Sequence, residues 1–242
     1  MRSSFIQKLT FSICLVATIV IAPAQASVIV NGTRVIYDGK EREVSVRLTN
    51  TGTQPVLVQS WIDSGEQNAK PDRITTPFTL TPPINRINAG KSQTLRISFT
   101  GTPALPQDKE SVYWLNVLEI PSSHKNNKDS KLQIAFRTRI KLFYRPDTLS
   151  DRSKVTEAAE KLKWSVTGDK LTATNNSPYF ISLVSVKFKN QENNGSMEGE
   201  MVPPLGNYDF KLPKSLRPGT GTTLIYEYVN DWGALKKVEY TL

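Results

Sequence analysis

A long period-two alternation runs from Leu132 to Lys141, and Pro146 ends the segment that contains it. Apolar side chains occupy one parity and polar or basic side chains the other, with Thr138 as the break. At about 3.3 Å per residue this strand would be roughly 30 Å long. A half-buried strand inside a sandwich fits the pattern, and so does an edge strand that keeps its apolar face for a partner chain. The alternation alone does not choose between them.

Residues 1–26 predict a secretory signal peptide. Arg2 and Lys8 precede an apolar run from Leu9 to Ala22, and Ala24-Gln25-Ala26 ends the segment in an A-x-A pattern. The apolar run is shorter than the roughly 20 residues of a spanning helix, and no later segment approaches that length. The only cysteine, Cys14, lies inside the signal. We therefore expect an exported protein that is not embedded in a membrane and is stabilised by packed cores rather than disulfides.

Short strand patterns separated by turn residues fill the rest of the chain and predict an all-β fold. Removing 26 of the 242 residues leaves 216, which suits two domains of about 100 residues each. Turn signals recur at the spacing of immunoglobulin-like sandwiches, so we predict two such domains. The one helical pattern, Asp147 to Lys163 with Ser153 as a candidate N-cap, marks the boundary. The predicted division is residues 27–146, a linker at 147–160, and residues 161–242.

Local patterns give three further predictions. Asp38-Gly39 is typical of a turn that joins the two strands of a hairpin. The polar segment from Asp63 to Lys70 predicts a surface loop. Ser111 to Ile120 is apolar on both parities, which indicates a central strand covered on both faces and paired with the long alternating strand as a hairpin.

The composition argues against nucleic-acid binding and against a catalytic or metal site. The net charge is +9 and falls to +7 without the signal, but the basic residues are scattered along strands rather than clustered. The only histidine, His124, lies in a polar loop that is a poor place for an oriented catalytic set. One histidine and no mature cysteine cannot build a transition-metal site. We expect no catalysis, no metal and no cofactor.

Three charged residues lie at predicted strand ends beside aromatic side chains: Glu110 beside Tyr113, Arg145 beside Tyr144, and Asp231 beside Trp232. We expect these aromatic side chains to shelter the charges partly from water. On pattern alone they are separate surface charges, which contribute about 0 to 1 kcal/mol as exposed pairs.

The segment Leu105–Ser122, with the core Ser-Val-Tyr-Trp-Leu-Asn-Val-Leu-Glu-Ile-Pro, closely resembles the signature of the periplasmic pilus-assembly chaperones of the chaperone/usher pathway. Similar motifs occur at residues 33–39, 140–146, 176–179 and 228–233, so the resemblance spans the mature chain. It implies two immunoglobulin-like domains set at an angle, with a subunit bound in the cleft and along an edge of the first domain.

The resemblance also implies roles for particular residues. Arg34 and Lys141 match the two cleft cations that hold the C-terminal carboxylate of a pilin, a role suited to charge-assisted hydrogen bonds. Leu132, Ile134 and Phe136 match the apolar residues that enter the open groove of a pilin lacking its last strand.

Glu110, Arg145 and Asp231 match the charge network that holds the angle between the two domains. The loop from Pro121 to Lys131 resembles that of the short-loop branch of the family.

The implied function is a periplasmic, non-enzymatic chaperone that donates an edge strand to a pilus or fimbrial subunit and delivers it to an outer-membrane usher. An exposed edge also leaves open self-association of the free protein. The alternatives are a secreted adhesin or receptor-binding module, which predicts an aromatic pocket at loop tips, and a hydrolase, which predicts a clustered catalytic set.

Overall fold

The computed structural model describes residues 27–121, 134–189, 196–213, 216 and 218–242. The first part of the chain, up to residue 145, contains nine strands in its described residues: β1 (Val28–Val30), β2 (Arg34–Asp38), β3 (Val44–Asn50), β4 (Val56–Asp63), β5 (Phe78–Thr81), β6 (Ile84–Ile87), β7 (Ser92–Phe99), β8 (Ser111–Pro121) and β9 (Phe136–Arg145). The second part contains helix α1 (Arg152–Glu160) and strands β10 (Lys163–Thr167), β11 (Lys170–Asn175), β12 (Ile181–Phe188), β13 (Met197–Glu198), β14 (Met201–Val202), β15 (Gly206–Lys211), β16 (Thr223–Val229) and β17 (Leu235–Thr241). Single 3-10 turns lie at Pro71–Arg73 and Asp147–Leu149.

The first domain is a sandwich of two sheets with strand orders β1-β3-β7-β5 and β2-β9-β8-β4-β6. Alternate side chains point inward, as the period-two patterns of these strands require. Leu48, Leu95, Leu115 and Leu142 meet between the sheets without solvent exposure. The second domain has its own core between the sheets β10-β11-β15 and β13-β12-β16-β17, with β14 paired to β12. The predicted all-β fold of two sandwich domains is confirmed.

The turn at Asp38-Gly39 does not join a hairpin, so that prediction was wrong. Strand β2 pairs with β9 in one sheet, whereas β3 pairs with β1 and β7 in the other. The Gly39 N–H donates to the Arg145 carbonyl at 2.7 Å, which continues the β2–β9 pairing past Asp38. A Cβ at residue 39 would lie 3.1 Å from that carbonyl oxygen. The chain then crosses between the two sheets.

Strand β9 lies further along the chain than the predicted Leu132–Lys141, because it begins at Phe136 and ends at Arg145. Ile134 and Ala135 precede it without strand geometry, and Leu132 lies outside the described residues. Antiparallel pairing with β8 extends along the strand from Tyr144 to Phe136. Parallel pairing with β2 covers only residues 141–145. Within the described chain, residues 136–140 therefore have a partner strand on one side only, and we call this stretch the open edge.

Helix α1 is shorter than its sequence pattern indicated and is capped by a different residue. It starts after Asp151, whose carboxylate accepts hydrogen bonds from the Ser153 N–H at 2.9 Å and the Ser153 hydroxyl at 2.6 Å. Ser153 was predicted as the N-cap, but it lies inside the first turn and is the donor to the N-cap residue Asp151. Ala159 of the helix is buried in the second core. The division at residues 146 and 161 stays a prediction.

No helix in the described part of the chain is both long enough and apolar enough to cross a bilayer.

The first described residues are held by a carboxylate from the opposite sheet. Glu119 of β8 accepts hydrogen bonds from the Ser27 and Val28 N–H groups, both at 3.0 Å, and from the Ser27 hydroxyl. Its side chain is largely buried. Glu119 thus joins the start of β1 to the sheet that contains β9.

Replacing Glu119 with alanine should destabilise the first domain, because the buried Val28 N–H loses its acceptor. We expect the free energy of unfolding to fall by about 1 to 3 kcal/mol, measured by urea denaturation. Glu119→Gln keeps a carbonyl acceptor, so its free energy of unfolding should fall clearly less. Equal losses for the two variants would show that the hydrogen bonds are not the cause.

Candidate functional site

Arg34 and Lys141 are neighbours at the point where β2 starts to pair with β9, since their Cα atoms are register partners in that parallel pairing. Both side chains point toward the second domain. The Arg34 guanidinium donates to the Val229 carbonyl through Nη1 at 2.8 Å, and the Lys141 ammonium donates to Ser182 Oγ at 3.2 Å. The two cations therefore line the cleft between the domains, and each donates one hydrogen bond to an uncharged acceptor across it.

The charges of Arg34 and Lys141 are poorly compensated. Burial lowers the pKa of Lys141, the charge of Arg34 lowers it further, and Glu200 opposes the shift. Burial also lowers the pKa of Arg34, against the attraction of Asp231 and Glu110. Neither cation has a carboxylate within 4 Å in the described residues. Since two like charges are held together with little neutralisation, this part of the cleft favours an anion.

Apolar side chains lie exposed along the start of β9. Ile134 is 54% exposed and Phe136 is 42% exposed. Phe136 has the same parity as Leu142 and Tyr144, which are buried in the core of the first domain. The apolar face of the strand therefore begins outside the sandwich and ends inside it. The insertion roles of Ile134 and Phe136 stay predictions, and that of Leu132 concerns a residue outside the described chain.

Arg145, the last residue of β9, forms a buried ion cluster with one carboxylate from each domain. Its Nη1 and Nη2 donate to the Asp231 carboxylate at 2.8 and 3.1 Å. Its Nε donates to Glu110 Oε1 at 2.8 Å, and Nη2 lies 2.6 Å from the same oxygen. Glu110 Oε2 accepts from the Phe180 N–H of the second domain at 2.7 Å. The structure thus brings the three predicted charged residues together at the domain junction.

The cluster is almost inaccessible to water, because the Arg145 and Glu110 side chains are 2% and 1% exposed. Burial opposes the charge of Arg145, but hydrogen bonds and charges from Asp231 and Glu110 outweigh it and raise its pKa. Burial raises the pKa of Glu110, and the attraction of Arg145 offsets only part of this effect. Because two carboxylates neutralise one guanidinium, Arg145 stays charged, and the cost of desolvation appears as the raised pKa of Glu110.

The aromatic shelter of this cluster differs from the prediction. The ring of Tyr179 lies 5.4 Å from the guanidinium carbon of Arg145. Trp232 does not shelter the cluster, since it is 64% exposed and faces Arg152 instead. Phe143 of the first domain meets Phe180 of the second with ring centroids 6.0 Å apart. Aromatic contacts from β9 and the start of β12 thus accompany the ion cluster at the junction.

Comparison with known proteins assigns both domains. Residues 27–150 match the family described as "Pili and flagellar-assembly chaperone, PapD N-terminal domain", and residues 157–240 match "Pili assembly chaperone PapD, C-terminal domain". The chain belongs to the pilus-assembly chaperone family. This chaperone is 40% identical to the probable fimbrial chaperone YadV of Escherichia coli K12 over 238 residues, which cover 95% of this chain and 96% of YadV. It is also 40% identical to the chaperone protein MrkB of Klebsiella pneumoniae, over 89% of this chain and 91% of MrkB.

Solved chaperone structures share the two-domain fold. A YadV crystal structure superposes with a TM-score of 0.76 at 37% identity, covering 90% of this chaperone and 100% of that chain. The SafB chaperone of Salmonella enterica, solved in complex with the SafA pilin, superposes with a TM-score of 0.73 at 26% identity, covering 91% and 99%. These relatives favour the chaperone hypothesis over a secreted adhesin.

Two cleft contacts were not predicted from the sequence. The Val229 carbonyl that binds Arg34 is a backbone group, so no side-chain signature marks it. Ser182 lies within the apolar run of β12 and gave no sign that its hydroxyl faces Lys141. Among the described residues, no group of three or more His, Cys, Asp or Glu side chains is arranged to hold a metal ion.

Replacing Arg145 with methionine should strongly destabilise the chaperone, because Glu110 and Asp231 would remain buried without a cation. We expect a loss of about 3 to 5 kcal/mol in the free energy of unfolding, measured by urea denaturation. Glu110→Gln should cost less, about 1 to 3 kcal/mol, since its single amide oxygen can accept from the Phe180 N–H or from Arg145 but not from both, while Asp231 still neutralises Arg145.

Arg96→Met, on the exposed outer face of β7, serves as the matched control and should leave the stability nearly unchanged. If Arg145→Met and Arg96→Met cost the same, the cluster does not stabilise the domain junction.

Proposed function

We propose that this chaperone captures a fimbrial subunit by holding the subunit's C-terminal carboxylate between Arg34 and Lys141 and pairing the subunit's C-terminal strand with the open edge. The observation that carries the proposal is the position of two poorly neutralised cations at the end of an unpaired strand edge. A carboxylate can accept charge-assisted hydrogen bonds from both side chains and relieve their mutual repulsion. The chain end thereby fixes where pairing begins.

The geometry sets the direction of the guest strand. The open edge extends from residue 140 back to residue 136, and β2 occupies the same side of β9 from residue 141 onward. A strand whose C-terminus lies at Lys141 must therefore run from Phe136 toward Lys141, parallel to β9. Such a strand continues the line of β2 and completes the edge by β-augmentation.

The exposed apolar side chains supply the second part of the interaction. Ile134 and Phe136 would enter the groove of a subunit that lacks its own last strand, together with Leu132. Each fully buried side chain of this size contributes about 1.5 to 3 kcal/mol before ordering costs are subtracted. Because the anchored carboxylate fixes the register, it also decides which parity meets the groove.

The relatives support this assignment of partners. SafB was solved with a pilin bound, and YadV is named a probable fimbrial chaperone. By extension, this chaperone acts in the periplasm, releases its subunit to an outer-membrane usher, and works as a binding protein without enzymatic activity or cofactor.

The anchor is testable with a peptide that copies the C-terminal strand of the subunit, made with a free or an amidated C-terminus. Wild-type chaperone should bind the free acid about 10- to 100-fold more tightly, since hydrogen bonds to a charged group contribute about 1.5 to 3 kcal/mol. Lys141→Ala and Arg34→Ala should lose this preference, as measured by calorimetry or fluorescence titration.

The comparison forms a double-mutant cycle, in which the effects of amidation and of Lys141→Ala should not add. Arg96→Ala is the control and should retain the full preference. If Lys141→Ala weakens the binding of both peptides equally, Lys141 lies outside the carboxylate site.

Phe136→Ala should weaken subunit binding while leaving the stability of the chaperone nearly unchanged. The side chain is already 42% exposed, so its truncation should change the free energy of unfolding by less than about 1 kcal/mol. Subunit affinity should fall about tenfold, because the remaining surface of the ring is buried only in the complex. The control is Leu235→Ala, a comparably exposed apolar residue on β17. The affinity is measured by letting the chaperone capture a refolding subunit, and an unchanged affinity for Phe136→Ala would contradict the insertion role.

A further inference from the structure

The two basic side chains of the open edge point back across their own sheet instead of extending into solvent. Arg139 binds the Asp63 carboxylate through Nε at 3.1 Å and through Nη2 at 2.5 Å. Arg137 donates from Nη1 to the Gln67 carbonyl at 2.8 Å. Asp63 ends β4, which is separated from β9 by β8. The Arg139–Asp63 contact therefore ties the open edge to a strand in the interior of the sheet.

Asp63 does not belong to the surface loop predicted for residues 63–70, because it ends β4 and the exposed loop begins at Ser64. Its side chain is 2% exposed. Besides Arg139, its carboxylate accepts from Asn116 Nδ2 at 2.6 Å and from the Gly65 N–H at 2.7 Å. Burial favours the protonated form, but the hydrogen bonds from Arg139, Asn116 and Gly65 outweigh it and lower the pKa of Asp63. Asp63 is therefore a charged and fully engaged anchor at neutral pH.

Arg139 crosses β8 on its way to Asp63. Its guanidinium carbon lies 4.6 Å from the centre of the Trp114 ring, and its strand partner on β8 is Asn116. A bidentate ion pair combined with an aromatic platform leaves the arginine little rotational freedom. Through Arg139, the backbone of the open edge gains a fixed point two residues before Lys141.

We propose that Asp63 and Arg139 are positioning residues that hold the open edge extended before a subunit arrives. The inference rests on the proposed function. Residues 141–145 are paired on both sides, whereas residues 136–140 have β8 alone and would otherwise open more readily at the free end of the strand. A strand that is already held in its bound conformation loses less conformational entropy on binding. The Arg139–Asp63 ion pair, which we call the brace, therefore increases subunit affinity without contacting the subunit.

This role differs from direct attraction of an acidic subunit by Arg139, and two substitutions separate them. Asp63→Asn releases Arg139 and removes a negative charge, so a direct electrostatic role predicts equal or tighter binding. The brace predicts weaker binding for Asp63→Asn and for Arg139→Gln alike. The effects of the two substitutions should not add in the double variant.

The experiment has an arm that requires no subunit. Hydrogen exchange in the free chaperone should show the amides of residues 136–140 that are hydrogen-bonded to β8 exchanging about tenfold faster in Asp63→Asn, while those of residues 141–145 keep their protection. In the second arm, the C-terminal subunit peptide with a free carboxylate should bind about tenfold more weakly to Asp63→Asn. Asp209→Asn, which breaks the exposed pair with Lys170 in the second domain, should change neither readout.

Each outcome bears on one claim. Unchanged exchange of residues 136–140 in Asp63→Asn overturns the brace whether or not a peptide binds. Faster exchange with unchanged peptide affinity makes Asp63 a structural residue and overturns its positioning role. Tighter binding by Asp63→Asn with weaker binding by Arg139→Gln assigns Arg139 to direct attraction. Equal binding of acid and amide peptides by the wild type counts against the carboxylate anchor and leaves the exchange result standing.

Discussion

Strands β2 and β9 have different lengths, and the proposed function depends on this mismatch. Strand β2 has five residues and covers the second half of the ten-residue β9, so the first half keeps one set of backbone hydrogen-bonding groups unpaired in the described structure. Unpaired edges are usually protected in monomeric proteins, because they recruit other chains. Here the edge ends at two cations, and on the proposed function these cations restrict what can pair with it. An otherwise hazardous feature is thereby made selective.

Two charge clusters on the same strand have opposite character. Arg145 is surrounded by two carboxylates and stabilises the junction of the domains, whereas Lys141, four residues earlier, faces Arg34 without a neutralising carboxylate within 4 Å among the described residues. The first cluster is internally satisfied and therefore rigid. The second is costly in the free protein, as the lowered pKa values of both cations indicate. The Arg145 cluster joins the two domains at the end of β9, and Ser182 and Val229 of the second domain bind the unsatisfied pair.

The sequence predicted the strands better than their arrangement. Alternation located most of β9, because side-chain parity reflects which face is buried, and the apolar run on both parities located β8. It could not reveal that β2 pairs with β9 in parallel, since pairing between distant strands leaves no local pattern. The resemblance named Arg34, Lys141, Glu110, Arg145 and Asp231 together, and the structure places them around one junction. Asp63 was assigned to a loop because it begins a polar segment, residues 63–70. Its burial depends on Arg139, which lies 76 positions away in the chain.

The location of Arg34 and Lys141 at the inner end of the open edge has a consequence for the timing of capture. On the proposed function, the site recognises a free carboxylate, and a polypeptide acquires one only when its synthesis is finished. A subunit still emerging from the export machinery presents side chains and peptide bonds but no terminus of this kind. The chaperone would therefore ignore a chain whose end has not yet emerged and act only on subunits whose C-terminus is free.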